Sequence, residues 1–288
     1  IHAHWLIPQG LILALVSLTM KKSPPFLVTS HGADLHALRS WPMPALKRFV
    51  AKRAAAMTVV SKAMLDAMQT QGIPIEGVHV EPMGVDLQHR FTPDKTVDRS
   101  DDEILFVGRL VEKKGLRYLL DAMPEVLKKR PKCFLTVAGF GPEKQALRDQ
   151  AEALGISENI NFIGAVAQES LPDLYRRAAL FVAPFIETKS GDQEGLGLVT
   201  VEALGCGCPI LVSDLPAVHD LVLDSKIRIP AGDVGALSNA IKKFFNRSKT
   251  ERIEISEASR HRVLKKFDWS STSAAYSAYL RELIDESC

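Results

Sequence analysis

Short apolar runs and longer amphipathic stretches alternate along this chain. Continuous apolar runs predict strands that are buried in a parallel sheet, and apolar residues spaced three and four apart predict helices between them. Strands are predicted at residues 1–5, 26–30, 57–61 and 78–82, and again at 103–108, 133–138, 160–163, 179–184 and 209–213. Such alternation is typical of α/β units with right-handed crossovers. We therefore expect an α/β protein of two units, residues 1–90 and 103–269, joined by a linker over 91–102.

Helices are predicted in both units, including one near the start of the chain and three near its end. The apolar run over residues 11–20 is about half of the ~20 residues that a membrane span needs, and no basic segment precedes it as in a signal peptide. It is interpreted as a buried helix. Further helices are predicted over residues 233–246, 249–266 and 270–284.

Length, composition and charge exclude some classes of protein. The chain has 288 residues, 46% of them hydrophobic, which is enough to bury a core in each of two domains. A net charge of +2 argues against nucleic-acid binding. Four cysteines do not form a disulfide framework; Cys133 and Cys208 are expected in the core, and Cys288 is terminal. We expect a reducing, cytoplasmic setting.

Residues 194–202 (EGLGLVTVE) carry the most specific chemistry. They place Glu194 and Glu202 on either side of two glycines, after a predicted strand and at the start of a predicted helix over 198–204. Free backbone N–H groups and the helix dipole at such a position favour a phosphate. A helical path of eight residues would separate the carboxylates by roughly 12 Å. This layout suits a nucleotide-sugar, which is hydroxyl-rich at both ends and phosphorylated in the middle.

A second candidate anion site follows the predicted strand over 103–108. Arg109, Lys113 and Lys114 come next, before an amphipathic helix over 116–128. Ligands bind open α/β sheets at the carboxyl ends of the strands, where Arg109 could hold a diphosphate by two parallel N–H bonds and a lysine could add a point charge. The alternative is an ordinary solvated charge run. The nearby carboxylate pair favours the anion site.

Five motifs together resemble glycosyltransferase family 4. They are VGRLVEKKG at 107–115, VAGFGP at 137–142, NFIG at 161–164, EGLG at 194–197 and EALGCGCP at 202–209, in the order and at the spacing of that family. The resemblance covers nearly the whole chain. It implies a retaining enzyme of the GT-B fold, in which two Rossmann-like domains flank a cleft.

The resemblance also implies a substrate class. The donor would be a nucleotide-diphosphate sugar, and the acceptor a glycan, a lipid-linked molecule or a small molecule in polysaccharide or glycoconjugate biosynthesis. Neither a metal nor another cofactor is expected.

The same resemblance implies roles for single residues. Arg109 and Lys114 would hold the diphosphate, Glu194 would contact the donor sugar, and His31 would approach that sugar from the opposite wall. These four are the expected catalytic residues. Glu202 would accept hydrogen bonds from the ribose. The expected donor-binding set is Gly108, Arg109, Lys114, Ile163, Val166, Glu194, Gly195, Leu196, Gly197 and Glu202.

Two features of the first unit leave alternatives open. His2 and His4 share one face of a strand and could hold a metal, although packing explains such a pair more simply. A basic and apolar segment over residues 39–53 could lie on an anionic membrane surface, or it could be an ordinary amphipathic helix packed on its sheet. Its members are Arg39, Trp41, Lys47, Arg48, Phe49, Lys52 and Arg53. The membrane alternative implies peripheral contact with the inner face of the membrane.

The first unit is shorter than the resemblance implies. The chain begins at Ile1 inside a predicted strand, and the family's glycine-rich acceptor loop is not found in it. We expect an incomplete N-terminal domain, through truncation or a split gene, with a C-terminal helix over 270–288 packing back on it.

Other functions stay open beside the transferase. The chain could be the donor-binding half of a split enzyme, or a sugar-nucleotide epimerase on the same scaffold. A nicotinamide dehydrogenase is a distant third, because Lys144 stands where the dinucleotide fingerprint at 139–144 needs its third glycine.

Overall fold

The structure, a computed structural model, describes residues 1–285 and divides into two compact α/β units. Unit 1 comprises Ile1–Gly84, Lys189–Leu196 and the chain from Trp269 onward. Unit 2 comprises Val85–Thr188 and Gly197–Asp268. The predicted division into two α/β units is therefore found.

Unit 1 has a parallel sheet in the order β1-β2-β3-β4. Its strands are β1 (His2–His4), β2 (Leu27–Ser30), β3 (Ala56–Val59) and β4 (Val78–Val80). The helices between them are α1 (Leu11–Thr19), α2 (Ala33–His36), α3 (Met43–Arg53) and α4 (Lys62–Thr70). Each strand lies where a short apolar run predicted one, and β2 is buried along its whole length.

Unit 2 has a larger parallel sheet in the order β10-β9-β8-β5-β6-β7. Its strands are β5 (Glu103–Val107), β6 (Phe134–Ala138), β7 (Ile160–Gly164), β8 (Leu180–Ala183), β9 (Ile210–Ser213) and β10 (Arg228–Ile229). Its helices are α5 (Leu116–Lys129), α6 (Lys144–Ala153), α7 (Leu171–Arg177), α8 (Leu198–Gly205), α9 (Val234–Phe245) and α10 (Lys249–Phe267). Only β10 was not predicted, because its two residues form no apolar run.

The last helix, α11 (Trp269–Asp285), belongs to unit 1. The Tyr276 hydroxyl lies 3.2 Å from Thr29 Oγ1 and 3.1 Å from Thr58 Oγ1, which ties α11 to β2 and β3. Residues 286–288 of the predicted terminal helix, including Cys288, lie outside the described residues.

Residues 91–102, the predicted linker, pack as part of unit 2. Phe91 is buried, and the Arg99 guanidinium donates to the carbonyls of Tyr175, Ala178 and Gly207. Proline and charged residues in this segment indicated a linker, but these contacts fix the segment to the rest of unit 2. The boundary between the units lies instead at Gly84 and Val85.

Helix α1 is not buried as predicted. Only Ala14 and Ser17 are buried, while Ile12 and Leu18 are 55% and 58% exposed. A helix that is apolar on every side gives no periodicity from which its packed face could be deduced. Among the described residues, no helix is long and apolar enough to cross a membrane.

Glycines allow the strands of unit 2 to approach one another at their carboxyl ends. Gly108 and Gly139 follow β5 and β6 with φ of +155° and +157°, and a Cβ on Gly139 would lie 1.8 Å from the Gly108 carbonyl oxygen. Gly115 has φ of +68°, and a Cβ there would lie 1.8 Å from the Pro184 carbonyl oxygen. No side chain can be accommodated at either contact without moving the backbone.

Gly139→Ala should therefore destabilise unit 2 by about 3 kcal/mol or more, since the added methyl overlaps backbone that cannot yield. Gly155→Ala is the matched control, because Gly155 also has positive φ, +67°, but faces open space. It should lose only the ~1–2 kcal/mol of a left-handed non-glycine residue. Thermal unfolding monitored by circular dichroism measures both; equal losses would show that the close contact has no effect.

Candidate functional site

The carboxyl end of β5 in unit 2 presents the predicted cations. Arg109 is exposed, and its guanidinium makes no hydrogen bond or ion pair with any described residue. Lys114 ends a 3-10 turn over Glu112–Lys114, and its Nζ lies 4.9 Å from the centroid of the Phe185 ring, just after β8. Gly108 lies beneath this lysine, since a Cβ on Gly108 would be 3.7 Å from Lys114 Cδ.

Helix α8 begins beside the same ring. Its N-cap is Gly197, with φ of +80°, where a Cβ would lie 2.9 Å from Phe185 Cε2. Thr200, in the first turn, has a buried hydroxyl with no hydrogen-bond partner among the described residues. The helix start and Lys114 thus both lie against the buried Phe185 ring within unit 2.

Glu202 lies in α8, is 8% exposed, and accepts a hydrogen bond of 2.9 Å from the hydroxyl of buried Tyr175. Burial raises the pKa of the Glu202 carboxyl to about 7, against the opposing effects of the Tyr175 hydrogen bond and the Lys114 charge. Lys114 and Glu202, predicted separately, thus lie near enough within unit 2 for the lysine charge to affect the pKa of the carboxyl.

Glu194 is not part of this helix. Because α8 begins at Leu198, Glu194 lies in the preceding loop, and the separation calculated for a helical path does not apply to the carboxylate pair. The residues up to Leu196 belong to unit 1, whereas Gly197 and Glu202 belong to unit 2.

Within unit 1, the loop of Glu194 packs against the loop that follows β2. A Cβ on Gly195 would lie 2.5 Å from the His31 carbonyl oxygen, and one on Gly32 would lie 3.0 Å from Gly195 Cα. The two backbones touch because both positions are glycine. The structure thereby brings the segments of His31 and Glu194 together.

Asp34 organises the His31 loop. Its carboxylate, in a side chain that is 3% exposed, accepts hydrogen bonds from the backbone N–H groups of Leu6, His31 and Gly32 at 2.7, 3.2 and 3.1 Å. It also accepts one from the Ser30 hydroxyl at 3.0 Å. The sequence analysis selected His31 but missed this role of Asp34, although an aspartate shortly after a strand is a signal for such a turn.

Three histidines form a stacked cluster near that loop. His4 Nδ1 lies 2.9 Å from His31 Nε2, the His2 and His4 rings are 4.4 Å apart, and His2 Nε2 lies 2.8 Å from Thr29 Oγ1. Burial and the neighbouring His4 lower the pKa of His2 to about 4, and burial also lowers the pKa of His31. Over residues 1–285, no group of three or more His, Cys, Asp or Glu side chains is arranged to hold a metal. These contacts favour the packing interpretation of His2 and His4.

The remaining predicted donor contacts lie on the edge strand β7 and beyond it. The pairing of β6 with β7 shifts register between Val137 and Ala138, so that Ile163 forms a bulge and is 38% exposed. Val166 is half-buried two residues past Gly164.

The basic segment over residues 39–53 is partly structural. Lys47 is fully buried, and its Nζ donates to the Leu35 carbonyl at 2.7 Å, while Arg53 donates to Ser17 Oγ at 2.8 Å. Burial lowers the pKa of Lys47 to about 8. Lys47 was expected on the basic face, but it cannot contact a membrane surface. These two basic side chains contact other residues of unit 1, whereas Lys52 is exposed.

Three cysteines lie in the core, as expected for Cys133 and Cys208. Cys133, Cys206 and Cys208 are buried and free, and burial raises the pKa values of their thiols to about 12, 12 and 11. Such thiols are poor nucleophiles and poor metal ligands.

Comparison with known families decides the assignment. Residues 89–262 match the family described as glycosyl transferases group 1, and residues 1–84 match the glycosyl transferase 4-like domain. The chain belongs to the group 1 glycosyltransferases. The family resemblance and the enzyme class predicted from the motifs are thus confirmed.

Among known proteins, a mannosyltransferase is similar to most of this chain. It is 27% identical over 270 residues to the GDP-mannose-dependent alpha-(1-6)-phosphatidylinositol monomannoside mannosyltransferase of Mycolicibacterium smegmatis. The aligned region is 88% of this chain and 69% of that relative.

Solved structures establish the fold. Sucrose-phosphate synthase from Thermosynechococcus elongatus has a TM-score of 0.84 at 21% identity, covering 99% of this chain and 73% of that one. Anabaena HepE in complex with UDP has a TM-score of 0.80 at 19% identity, covering 95% and 76%. The predicted α/β fold of the GT-B class is confirmed.

Asp34→Asn should destabilise unit 1 by about 2 kcal/mol, because a neutral amide with one oxygen cannot accept all four hydrogen bonds. Asp66→Asn, at an exposed position on α4, is the control and should change stability by less than about 0.5 kcal/mol. Hydrogen exchange of the amides of Leu6, His31 and Gly32 reports the loss locally. Unchanged exchange rates at these three amides in Asp34→Asn would contradict the role assigned to the carboxylate.

Proposed function

We propose that this glycosyltransferase transfers a sugar from a nucleoside-diphosphate sugar to an acceptor with retention of anomeric configuration. One observation carries the proposal. Arg109 and Lys114 follow β5 in the same unit as Glu202, and the Lys114 charge acts directly on the Glu202 carboxylate. Cations for a diphosphate and a carboxylate for a ribose are thus provided by one rigid sheet and its adjoining helix.

The diphosphate would bind at the carboxyl end of β5. Arg109 presents a guanidinium that no described residue engages, and two parallel N–H bonds to phosphate oxygens suit its geometry. The start of α8 adds backbone N–H groups and the buried Thr200 hydroxyl. As the sugar departs, negative charge grows on the diphosphate, and donors already in place stabilise that charge without reorganising.

The family resemblance assigns separate residues to the ribose and to the sugar of the donor. Glu202, in unit 2, would accept hydrogen bonds from the ribose hydroxyls. Glu194 and His31, whose loops touch in unit 1, would contact the sugar, as the family resemblance implies. We assign no carboxylate nucleophile and propose a same-face displacement through an oxocarbenium-like state.

The names of the similar proteins support the donor class. The mycobacterial relative is described as dependent on GDP-mannose, and HepE is described in complex with UDP. A nucleoside diphosphate is common to both. Retention is tested by proton NMR of the product formed from an α-linked donor; a β-linked product would contradict it.

We also propose that the acceptor is lipid-linked and lies at the inner face of the membrane. The mycobacterial relative acts, by its name, on a phosphatidylinositol mannoside. In unit 1, Lys52 and the apolar side chains of Ile12 and Leu18 are exposed on the packed pair α1 and α3. Co-sedimentation with phosphatidylglycerol vesicles tests this; equal recovery with uncharged phosphatidylcholine vesicles would contradict an anionic surface.

The double variant Arg109→Ala/Lys114→Ala should lose nucleotide binding. Saturating UDP or GDP is expected to raise the thermal unfolding temperature of the wild type by several degrees, because ligand binding stabilises the folded state. Loss of two charge-assisted contacts, ~1.5–3 kcal/mol each, would weaken binding by about 100-fold or more.

Lys129→Ala/Lys132→Ala removes the same charge from exposed positions of unit 2 and serves as the control. It should keep the full stabilisation. We propose that no metal takes part, so EDTA should leave the stabilisation unchanged. Equal stabilisation of the two double variants would refute the proposed diphosphate site.

A further inference from the structure

Tyr175 is fully buried at the end of α7, and its position is fixed by two other rings. The Phe181 ring in β8 lies 5.5 Å away at an interplanar angle of 76°, and the Phe91 ring lies 6.3 Å away at 60°. Edge-to-face packing of this kind favours one ring orientation. The hydroxyl is therefore held at a defined point.

The hydroxyl lies beside the carboxylate of Glu202. The Tyr175 hydroxyl donates to Glu202 Oε2 at 2.9 Å and to no other described atom. A phenylalanine would fill the same apolar space, so packing alone does not explain the hydroxyl. A buried carboxylate without a hydrogen bond is costly, and the tyrosine hydroxyl provides that bond.

The second oxygen of Glu202 is left available. Glu202 Oε1 makes no hydrogen bond with the described residues, yet it is not among their fully buried unpartnered atoms, so it retains access to solvent. One oxygen is thus hydrogen-bonded to the protein, and the other is in contact with solvent. This is the arrangement that an acceptor of ligand hydroxyl groups requires.

We propose that Tyr175 is a positioning residue that holds the Glu202 carboxylate with Oε1 directed at the ribose of the donor. The inference rests on the proposed function. It adds a residue that would touch no substrate and would act only through Glu202.

The charge state of Glu202 supplies a readout that simple packing would not affect. The groups acting on it are Tyr175 from α7 and Lys114 from the turn after β5, and the Cys206 thiol just past α8 is in turn affected by the Glu202 charge. Burial raises the pKa of Glu202 to about 7, and the Tyr175 hydrogen bond opposes that rise. Removing the hydroxyl should therefore move the titration midpoint upward and leave more of Glu202 protonated at neutral pH.

The first arm of the test follows the NMR chemical shift of the Glu202 carboxyl carbon as the pH is changed. It uses the full chain without nucleotide. The signal is assigned by its loss in Glu202→Gln. Tyr175→Phe should raise the midpoint, while Tyr118→Phe, a half-buried tyrosine of the same unit, should leave it unchanged. An unchanged midpoint in Tyr175→Phe would overturn the inference.

The second arm titrates GDP and UDP, and the 2′,3′-dideoxy analogue of whichever binds, by calorimetry. At pH 7, Tyr175→Phe should weaken binding of the ribonucleotide by about 10-fold, the size of one hydrogen bond to a charged group, and leave the dideoxy analogue unaffected. Raising the pH to 9 should restore much of the loss. Equal weakening of both nucleotides would overturn the positioning role and indicate a general packing defect.

The two arms separate this inference from the proposed function. A raised midpoint in a protein whose wild type binds neither nucleotide would overturn the proposed function and, with it, the assignment of Oε1 to a ribose. An unchanged midpoint in a protein that binds nucleotide normally would overturn the role of Tyr175 alone.

Discussion

Backbone contact at the carboxyl ends of β5, β6 and β8 is the constraint on which the site in unit 2 depends. Gly108 meets Gly139, and Gly115 meets Pro184, at distances that leave no room for a Cβ atom. Because the chain passes so closely there, the turn after β5 lies against the end of β8, and Lys114 is placed over Phe185. The start of α8 packs on the same ring. Backbone geometry therefore sets where the turn that carries Lys114 and the start of α8 lie within unit 2.

In unit 1, a buried carboxylate fixes the positions of the loops. Asp34 collects backbone N–H groups from the loop after β1 and from the loop after β2, so that two chain segments are fixed by one side chain. Glycines then allow the loop of Glu194 to lie on the His31 backbone. The histidine cluster adds stacking and hydrogen bonds, and burial lowers the pKa values of His2 and His31 within it.

The strands and the location of the cations after β5 could be predicted because their causes are local. A continuous apolar run such as 104–107 indicates a buried strand by itself, and cations just after a parallel strand necessarily lie at its carboxyl end. Contacts between distant residues could not be predicted in this way. The bond from Tyr175 to Glu202 joins residues 27 positions apart, and the burial of Lys47 depends on a carbonyl at Leu35. The exposure of α1 was missed because its sequence is apolar on all sides.

Amide chemical-shift mapping of the whole chain with GDP and UDP tests the central claim most directly. The account predicts that the largest changes fall on residues 108–115 and 197–202, at the carboxyl ends of the strands. A cavity of about 270 Å³ lined by Arg99, Arg252 and Arg260 lies at the opposite, amino-terminal edge of the same sheet. Changes concentrated around that cavity, with residues 108–115 unaffected, would contradict the account.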